Sequence, residues 1–600
     1  MTRHVRSRRG LRLVAGAGSA TVLAALVVVA VAIAAPRSSA NAVPAKVQRL
    51  LAAHKCLVMA GSGDPAFVKN FNPYTATTLP SGDFVRGAFY EPLVVNTSAG
   101  GGHLYPWLAQ SWKWSNRNRT LTLDIRKGVT WSDGKPLTSA DVVYSLTAGR
   151  QNKVMDLVGY TRPDSNIASI HAKGAYKVVI NLKTVDSQFI SSTLNGQVVV
   201  PQHIWSKVKD PSTWTNPKPV GSGPFNQVAA FSSQSYVLGK NPHYWLKGAP
   251  KIPCLEYVQA ASNDAALALI QSGQVDWTHN FVPNVWKAYE SKDPSHFHAF
   301  YATTAYPQSL VFDDTQYPYS LPVFRKALSM AIDRNTISKL GEYGYAPPVD
   351  ALGLDGLFKS WYTPALLKQA QAQAQYNPTK AKQMLTSAGF TYKGGKLYDP
   401  HGNPVTLNSH VISGWSDWVA SNQIIAKNLQ AIGISSNVGL EPDWNSWYPN
   451  AAATKNPTLL WQIESAGSPY AFFNTNLSKS AYVPSGQDAT NTGNWEHFFD
   501  GSAQGVLDNW RASLDSKQQH ADFVKAAQLF LKDQPIVPLF IGPRWSTYST
   551  RYFHCFTSPS NFYTDPIFTT APDNIVNFTR ICPGGQAQSP AQADFPAGKS

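Results

Sequence analysis

Strand-like and helix-like segments alternate along the whole chain, and this intermingling restricts the fold more than any other sequence feature. Short apolar runs of strand type occur at residues 56–60, 121–125 and 176–182, and capped helical patterns occur at 323–332, 377–388 and 421–432. No repeat of 20–50 residues is present, which argues against solenoids and propellers. Because single cores rarely exceed about 250–300 residues, a mixed α/β chain of 600 residues predicts two large lobes.

The N-terminal 42 residues have the features of an export signal. Five arginines lie within residues 3–12, an apolar run spans 13–35, and Ala40-Asn41-Ala42 forms the small-x-small pattern that precedes cleavage. We therefore expect cleavage after Ala42 and a location outside the cytoplasmic membrane. An uncleaved anchor is the alternative, because the apolar run approaches the ~20 residues that span a bilayer. The arginine pair leaves both general secretion and twin-arginine export open.

The basic charge does not indicate nucleic-acid binding. The net charge is +16. Without the six arginines of residues 1–42, 46 basic residues stand against 36 acidic ones, a balance of +10. These charges are scattered, whereas nucleic-acid binders concentrate them in a stripe or arm.

The four cysteines indicate disulfides in an oxidising compartment. They are widely spaced, with no CxxC or His-rich neighbourhood, so no metal site or cofactor is predicted. Three pairings are open from the sequence, of which we favour Cys56–Cys254 with Cys555–Cys582.

A run of motifs in fixed order resembles one known family. The strongest are LYPWLAQSW at 104–112 and GVTWSDGKPLTSADVVYSL at 128–146, in which Thr138 or Ser139 caps a helix with Asp141 in its first turn. VGSGPF at 220–225, KNPHYW at 240–245, QSGQVD at 271–276, FRKALSMAIDR at 324–334 and DQPIVPL at 533–539 follow. Together they are similar to the bacterial extracellular solute-binding proteins of family 5, which include dipeptide- and oligopeptide-binding components of ABC transporters.

The resemblance implies a periplasmic-binding-protein type II-like α/β fold with a ligand cleft between two lobes joined by hinge strands. On this basis lobe I covers 43–310 with an inserted subdomain at about 85–225, lobe II covers 311–540, and 541–582 returns to lobe I. The tail 583–600 is expected to be disordered. The implied function is ligand capture by a monomer for membrane permease subunits, with no catalysis.

The ligand is the open question. Relatives that bind peptides hold the ligand's amino terminus with an aspartate before a proline, because a buried ammonium needs a charged partner. Here that place falls near Ser465, with Glu464 beside it and Tyr470 just after Pro469. This departure leaves oligosaccharides, which some relatives bind on aromatic platforms, as the alternative to oligopeptides.

Two further segments are candidate ligand contacts. The run GWSDW at 414–418 follows a strand-like segment, and loops at strand ends are where α/β lobes bind ligands, so we expect Trp415, Asp417 and Trp418 to face the cleft. Asn72 and Tyr74 are the candidates in the first lobe, because the equivalent early loop of the family reaches the cleft.

Other classes of protein find less support. The sequence has no convincing G-x-S-x-G, H-E-x-x-H or Cys–His arrangement of a secreted hydrolase. A cell-wall adhesion protein would suit the basic charge but predicts no closing cleft.

Overall fold

The structure, a computed structural model, describes residues 43–75, 85–97, 103–162, 165–354, 356, 358–452, 455, 458–463, 468–489 and 492–586. The predicted export signal, residues 587–600 of the predicted tail, and Glu464 and Ser465 lie outside the described residues. The first tail residues are ordered here, since Pro583 ends a short strand.

Lobe I is built on a seven-stranded sheet with the strand order β12-β20-β11-β1-β10-β9-β8. Its strands are β1 (Leu57–Ala60), β8 (Gln227–Phe231), β9 (Ser235–Gly239), β10 (Cys254–Val258), β11 (Trp277–Thr278), β12 (Phe297–Ala299) and β20 (Thr547–Ser549). The central strand β1 runs parallel to both β10 and β11, while the outer pairs are antiparallel. The predicted first strand at 56–60 is therefore the centre of this sheet.

Lobe II is built on a five-stranded sheet with the order β17-β16-β18-β13-β19. Its strands are β13 (Ala302–Phe312), β16 (Ser409–Ile412), β17 (Val438–Glu441), β18 (Thr458–Gln462) and β19 (Ile536–Arg544). Successive residues of β13 pack into different apolar cores on opposite faces of the sheet. Val311 belongs to one core, and Leu310 and Phe312 belong to the other. Both faces of the sheet are thus covered, which explains why β19 is buried along its whole length.

The inserted subdomain carries a four-stranded antiparallel sheet with the order β4-β5-β7-β6. Its strands are β4 (Ala109–Ser115), β5 (Thr120–Ile125), β6 (Ile167–Ala172) and β7 (Lys177–Leu182). The alternation in β5 buries Leu121, Leu123 and Ile125 on one face, as its sequence pattern predicts. Two-stranded pairs complete the sheets: β2 (Val94–Thr97) with β3 (His103–Pro106), β14 (Thr391–Lys393) with β15 (Lys396–Tyr398), and β21 (Phe553–His554) with β22 (Cys582–Pro583).

Helices cover both lobes, and several begin at the capping residues that the sequence predicts. Thr138 caps α3, and its side chain and that of Asp141 form a reciprocal capping box. The helices are α1 (Ala45–Ala52), α2 (Val85–Ala88), α3 (Ser139–Thr147), α4 (Gln202–Trp205), α5 (Asn263–Gln271), α6 (Val285–Ala288), α7 (Pro322–Ala331), α8 (Arg334–Thr336), α9 (Pro364–Ala374), α10 (Pro378–Ser387), α11 (Ser416–Ala431), α12 (Trp444–Ala452), α13 (Pro469–Leu477), α14 (Ala503–Ala512), α15 (Ser516–Asp533) and α16 (Asp573–Arg580).

The chain crosses between the lobes on two adjacent segments. It leaves lobe I after β12 and returns after β19, and across the crossing Ala302 pairs with Arg544 and the amide of Phe300 donates to the carbonyl oxygen of Ser546 (2.8 Å). The crossings thus fall near residues 300–301 and 545–546, whereas the sequence suggested boundaries at 310 and 540. The extended chain runs through the first crossing without a turn residue that could mark it.

Both favoured disulfides are present. Cys56–Cys254 joins the start of β10 to the residue before β1, so it ties two neighbouring parallel strands at one end. Cys555–Cys582 closes the region of β21 and β22.

Candidate ligand cavity between the lobes

A cavity of about 500 Å³ lies between the two lobes. Its walls come from loops and strand ends of both sheets, where α/β proteins commonly bind ligands. The lining residues used below are Asp64, Arg86, Asn263, His279, Arg544 and Trp545 from lobe I and the crossing, and Glu342, Trp415, Asp417, Trp418, Trp444, Tyr448, Trp461 and Trp495 from lobe II.

Direct hydrogen bonds join the lobes on one side of the cavity. The indole N–H of Trp415 donates to the carbonyl oxygen of Ser62 (2.9 Å). The amide of Asn263 donates to the carbonyl oxygen of Gly414 (3.0 Å), and its side-chain amide donates to Asp417 Oδ1 (3.0 Å). These bonds bring a strand end of lobe II against the start of α5, so the structure is that of the closed state on this side.

The inserted subdomain meets lobe II as well. The amide of Ser187 donates to the carbonyl oxygen of Arg511 (2.8 Å), and the guanidinium of Arg162 donates to the carbonyl oxygen of Ser480 (2.9 Å). Ser468 Oγ donates to Gln188 Oε1 (3.1 Å). The lobes therefore also touch through the subdomain.

An aromatic wall forms the lobe II side of the cavity. Trp461 of β18 is at its centre, with ring centroids 6.0 Å from Trp418, 5.7 Å from Trp444 and 6.1 Å from Trp495. Trp447 stacks against Trp461 at 4.6 Å and is fully buried. Rings from four separate segments thus support one another and leave part of their surface toward the cavity.

Two carboxyl groups lie in the same wall. Asp417, in the first turn of α11, accepts a hydrogen bond from Asn263 of lobe I, and Glu342 accepts one from Ser421 Oγ (2.7 Å). Burial and the nearby Asp417 raise the pKa of Glu342 well above its usual value, and burial raises the pKa of Asp417 to about 6.

Lobe I contributes Asp64, His279 and Arg86, and Arg544 lies at the crossing between the lobes. Burial raises the pKa of Asp64 to about 7, although Tyr257 donates a hydrogen bond to it (3.0 Å). Burial and the positive Arg544 lower the pKa of His279 to about 3, so its ring is neutral. Arg544 forms an ion pair with Asp565 (2.8 Å), and Arg86 Nε donates to the carbonyl oxygen of Pro73 (2.7 Å).

The structure brings together three of the predicted ligand contacts. Trp415, Asp417 and Trp418 all line the cavity. They are not a loop, however, because α11 begins at Ser416, five residues before the predicted start at 421. Asp417 in the first turn of this helix is an acid at a helix N-terminus, which is a stabilising placement.

Asn72, Tyr74 and Tyr470 occupy other places. Asn72 is fully buried, and its side-chain amide donates to the carbonyl oxygens of Pro211 and Trp214 (both 2.7 Å), so it holds two loops of lobe I together. The ring of Tyr74 packs against Trp205 (5.1 Å), and that of Tyr470 packs against Trp510 (5.6 Å). None of the three is among the residues that line this cavity.

Glu342, Asp64 and His279 were not among the residues predicted from the sequence to contact a ligand. Asp64 and His279 follow β1 and β11, so the rule that strand ends carry ligand contacts could have found them. Glu342 follows a π-helical turn, Ile337–Gly341, which has no sequence pattern that we recognised.

Other kinds of site find no support in the described part of the chain. It contains no group of three His, Cys, Asp or Glu side chains placed to hold a metal ion. Among the helices that the structure describes, none has the length and apolar character needed to cross a membrane.

Solved structures share this architecture. The mannohexaose-bound periplasmic oligopeptide-binding protein of Thermotoga maritima superimposes with a TM-score of 0.79 at 24% identity, over 89% of this chain and 99% of that one. The oligopeptide-binding protein AppA of Bacillus subtilis, in complex with a nonapeptide, gives 0.71 at 20% identity over 84% and 96%. These likenesses establish the two-lobed α/β fold that the sequence predicts.

Sequence comparison agrees. The periplasmic oligopeptide-binding protein OppA of Escherichia coli is 25% identical over 552 residues, which cover 87% of this chain and 92% of that protein. Residues 103–483 match the family described as "Bacterial extracellular solute-binding proteins, family 5 Middle". The matched segment is more than half of the chain and contains most of the motifs quoted above, and the predicted family is confirmed: this chain belongs to the bacterial extracellular solute-binding proteins of family 5.

Proposed function

We propose that this chain is the extracellular substrate-binding component of an ABC importer, and that it captures an oligopeptide or a similar extended solute and delivers it to a membrane permease. The observation that carries the proposal is the cavity enclosed between lobes that are hydrogen-bonded to each other. Its volume falls within the range of small-ligand sites. The named relatives AppA and OppA, both oligopeptide-binding proteins, support the peptide assignment.

In this proposal the chain binds and does not catalyse. Closure would take the solute out of water and present both lobes to the permease in one arrangement. The export signal, the two disulfides and the family's extracellular character support a location outside the cytoplasmic membrane.

An oligosaccharide is the second candidate ligand. The aromatic wall around Trp461 supports it, because flat rings with part of their surface free suit the apolar faces of sugar rings. The mannohexaose carried by the Thermotoga protein of similar fold makes this candidate concrete.

A thermal-shift screen separates the candidates. A ligand that binds only the folded protein raises its melting temperature, by an amount that grows with its concentration relative to Kd. The screen compares peptides of two to nine residues with oligosaccharides of two to six mannose units. Stabilisation by peptides alone supports the first candidate, stabilisation by saccharides alone supports the second, and no stabilisation by either class contradicts the proposed function.

We expect Trp418→Ala to weaken binding of the ligand found in this screen about tenfold, because the aromatic wall loses a ring that faces the cavity. Trp415→Phe is expected to weaken it about fivefold, since it keeps a ring but loses the hydrogen bond to Ser62. Isothermal titration measures both. The matched control is Trp286→Ala, because Trp286 is 60% exposed and lies outside the cavity. Equal affinities in all three variants would contradict the assignment of the wall.

A further inference from the structure

Glu342 and Asp417 form a buried carboxyl pair on the cavity wall. Ser421 lies one helical turn after Asp417 on α11, on the same face of the helix, and donates to Glu342 Oε1 (2.7 Å). Glu342 itself follows the π-helical turn Ile337–Gly341, which packs so closely on α11 that a Cβ at Gly341 would lie 2.3 Å from Ser421 Oγ. Such π-helical turns often occur at functional sites.

One oxygen of this pair is left without a partner. Glu342 is fully buried, and its Oε2 makes no hydrogen bond. Asp417 is only 4% exposed, and among the ion pairs formed by described residues none includes either carboxyl group. A buried carboxylate oxygen without a partner is costly, so the closed state by itself leaves this site unsatisfied.

The charged groups around the cavity do not supply the missing partner. Arg544 is engaged by Asp565, and Arg86 by the carbonyl oxygen of Pro73. His279 is neutral, and Asp64 is a further acid. The pKa of Glu342 is set by its burial, by the nearby Asp417 and by the hydrogen bond from Ser421. The pKa of Asp417 is set by its burial and by hydrogen bonds that include those from Asn263 and Trp545.

We infer that Glu342 and Asp417 are the subsite for a positively charged group of the ligand, an ammonium or a guanidinium. The inference rests on the proposed function and refines its ligand class. An ammonium bound beside the two carboxyl groups would satisfy Glu342 Oε2 and allow both groups to ionise. A neutral saccharide offers neither effect. The subsite thus selects, among extended solutes, those that carry a cation.

The test measures which solutes the protein retains from mixtures of known composition. The purified protein is incubated with a tryptic digest of casein, with the same digest after acetylation of all amines, and with neutral mannose oligosaccharides of two to six units. Species retained after gel filtration are identified by mass spectrometry. The strongest binder is then titrated against the wild type, Glu342→Gln and the control Asp264→Asn, a neighbouring acid that is exposed on α5 and lies outside the cavity.

We expect retention of peptides with free amines, and loss on acetylation of those peptides that lack arginine, because acetylation leaves a guanidinium charged. Glu342→Gln should weaken their binding about thirtyfold or more, because it removes one partner of a buried charge pair. Asp264→Asn should have no effect. The melting temperature of ligand-free Glu342→Gln should not fall, since the variant keeps the acceptor for Ser421 and, like the protonated Glu342, is neutral.

A pH series provides a second readout. Raised pKa values mean that the ligand-free pair holds a proton near neutral pH, and a cation must displace it. Affinity for the cationic peptide should therefore rise as the pH increases from 5 to 8, with most of the change around and above the pKa of Asp417, about 6. Burial raises the pKa of Asp64, which lines the same cavity, to about 7, so Asp64 also contributes to the pH dependence of binding. The informative quantity is therefore the difference in pH dependence of affinity between the wild type and Glu342→Gln.

Three outcomes would overturn the inference. If acetylated peptides that lack arginine or neutral saccharides are retained as well as free peptides, or if Glu342→Gln binds with unchanged affinity and pH dependence, the pair is not a cation subsite, although capture of solutes stands. If no peptide or saccharide is retained at all, the proposed function fails and the inference fails with it.

Discussion

A Gly414→Ala variant is expected to lose about a hundredfold in affinity for the ligand found in the screen, because its lobes cannot close fully. A Cβ at this position would lie 2.3 Å from the carbonyl oxygen of Ala261 and 3.1 Å from the Cα of Ser262, both in lobe I. These are backbone atoms, which cannot turn aside as a flexible side chain would. Overpacking typically costs about 1–3 kcal/mol, and the upper end corresponds to about a hundredfold in Kd.

The clash exists only where the two lobes meet, so each lobe should keep its own fold. Small-angle scattering with and without ligand measures closure, and isothermal titration measures affinity. Gly505→Ala is the matched control, because a Cβ there meets no atom within 4 Å and alanine suits the helix α14. If Gly414→Ala contracts on ligand addition and binds as the wild type does, closure does not depend on this contact.

Removal of the Cys56–Cys254 disulfide by alanine substitution of both residues is expected to lower the free energy of unfolding by about 5 kcal/mol. The bond closes a loop of 198 residues, and in the chain-entropy relation a loop of this length restricts the unfolded chain by about that amount. It also joins β1 to β10 in the centre of the lobe I sheet, next to the apolar cluster where α1 packs. Urea unfolding followed by tryptophan fluorescence measures the change.

The second disulfide provides the comparison. Cys555–Cys582 closes a loop of only 27 residues, for which the same relation gives about 3.5 kcal/mol. Which of the two disulfide variants loses more free energy of unfolding is therefore more decisive than the size of either loss. A larger loss for the Cys555/Cys582 variant would show that local packing, and not restriction of the unfolded chain, controls the stability contributed by these bonds.

Much of the architecture followed from local sequence patterns. The strand at 120–125 alternates apolar and polar residues, and those that point inward form one core. Thr138 and Asp141 begin α3 with the capping box that their spacing predicts, and Asn377 caps α10. Such features depend on residues within a few positions of one another, so the sequence alone contains the information needed.

The start of α11 shows where local patterns were weighed wrongly. The strand-like run before Gly414 and the two tryptophans suggested a loop, but Ser416 and Asp417 already belong to the helix. The prediction that Trp415, Asp417 and Trp418 face the cleft did not need this boundary, because the first turn of a helix that follows a strand end lies at the same edge of the sheet.

Asn72 and Tyr74 were chosen on the family resemblance, and the structure gives them other contacts. An Asn-Pro turn looks the same in sequence whether its side chains face a cleft or a core. Here the amide of Asn72 satisfies two buried carbonyl oxygens 139 and 142 residues away in the chain, a requirement that only the folded loops create.

The sequence by itself determined the family, the two-lobed α/β fold, the export signal as a prediction and the helix caps, since motifs and periodicity are properties of neighbouring residues. Only the tertiary structure decided which side chains share the cavity. Asn263 and Asp417 are separated by 154 residues and meet across two lobes. Glu342 reaches Ser421 across 79 residues through a π-helical turn. The cavity is made by closure of one lobe on the other, and that contact has no local pattern in the chain.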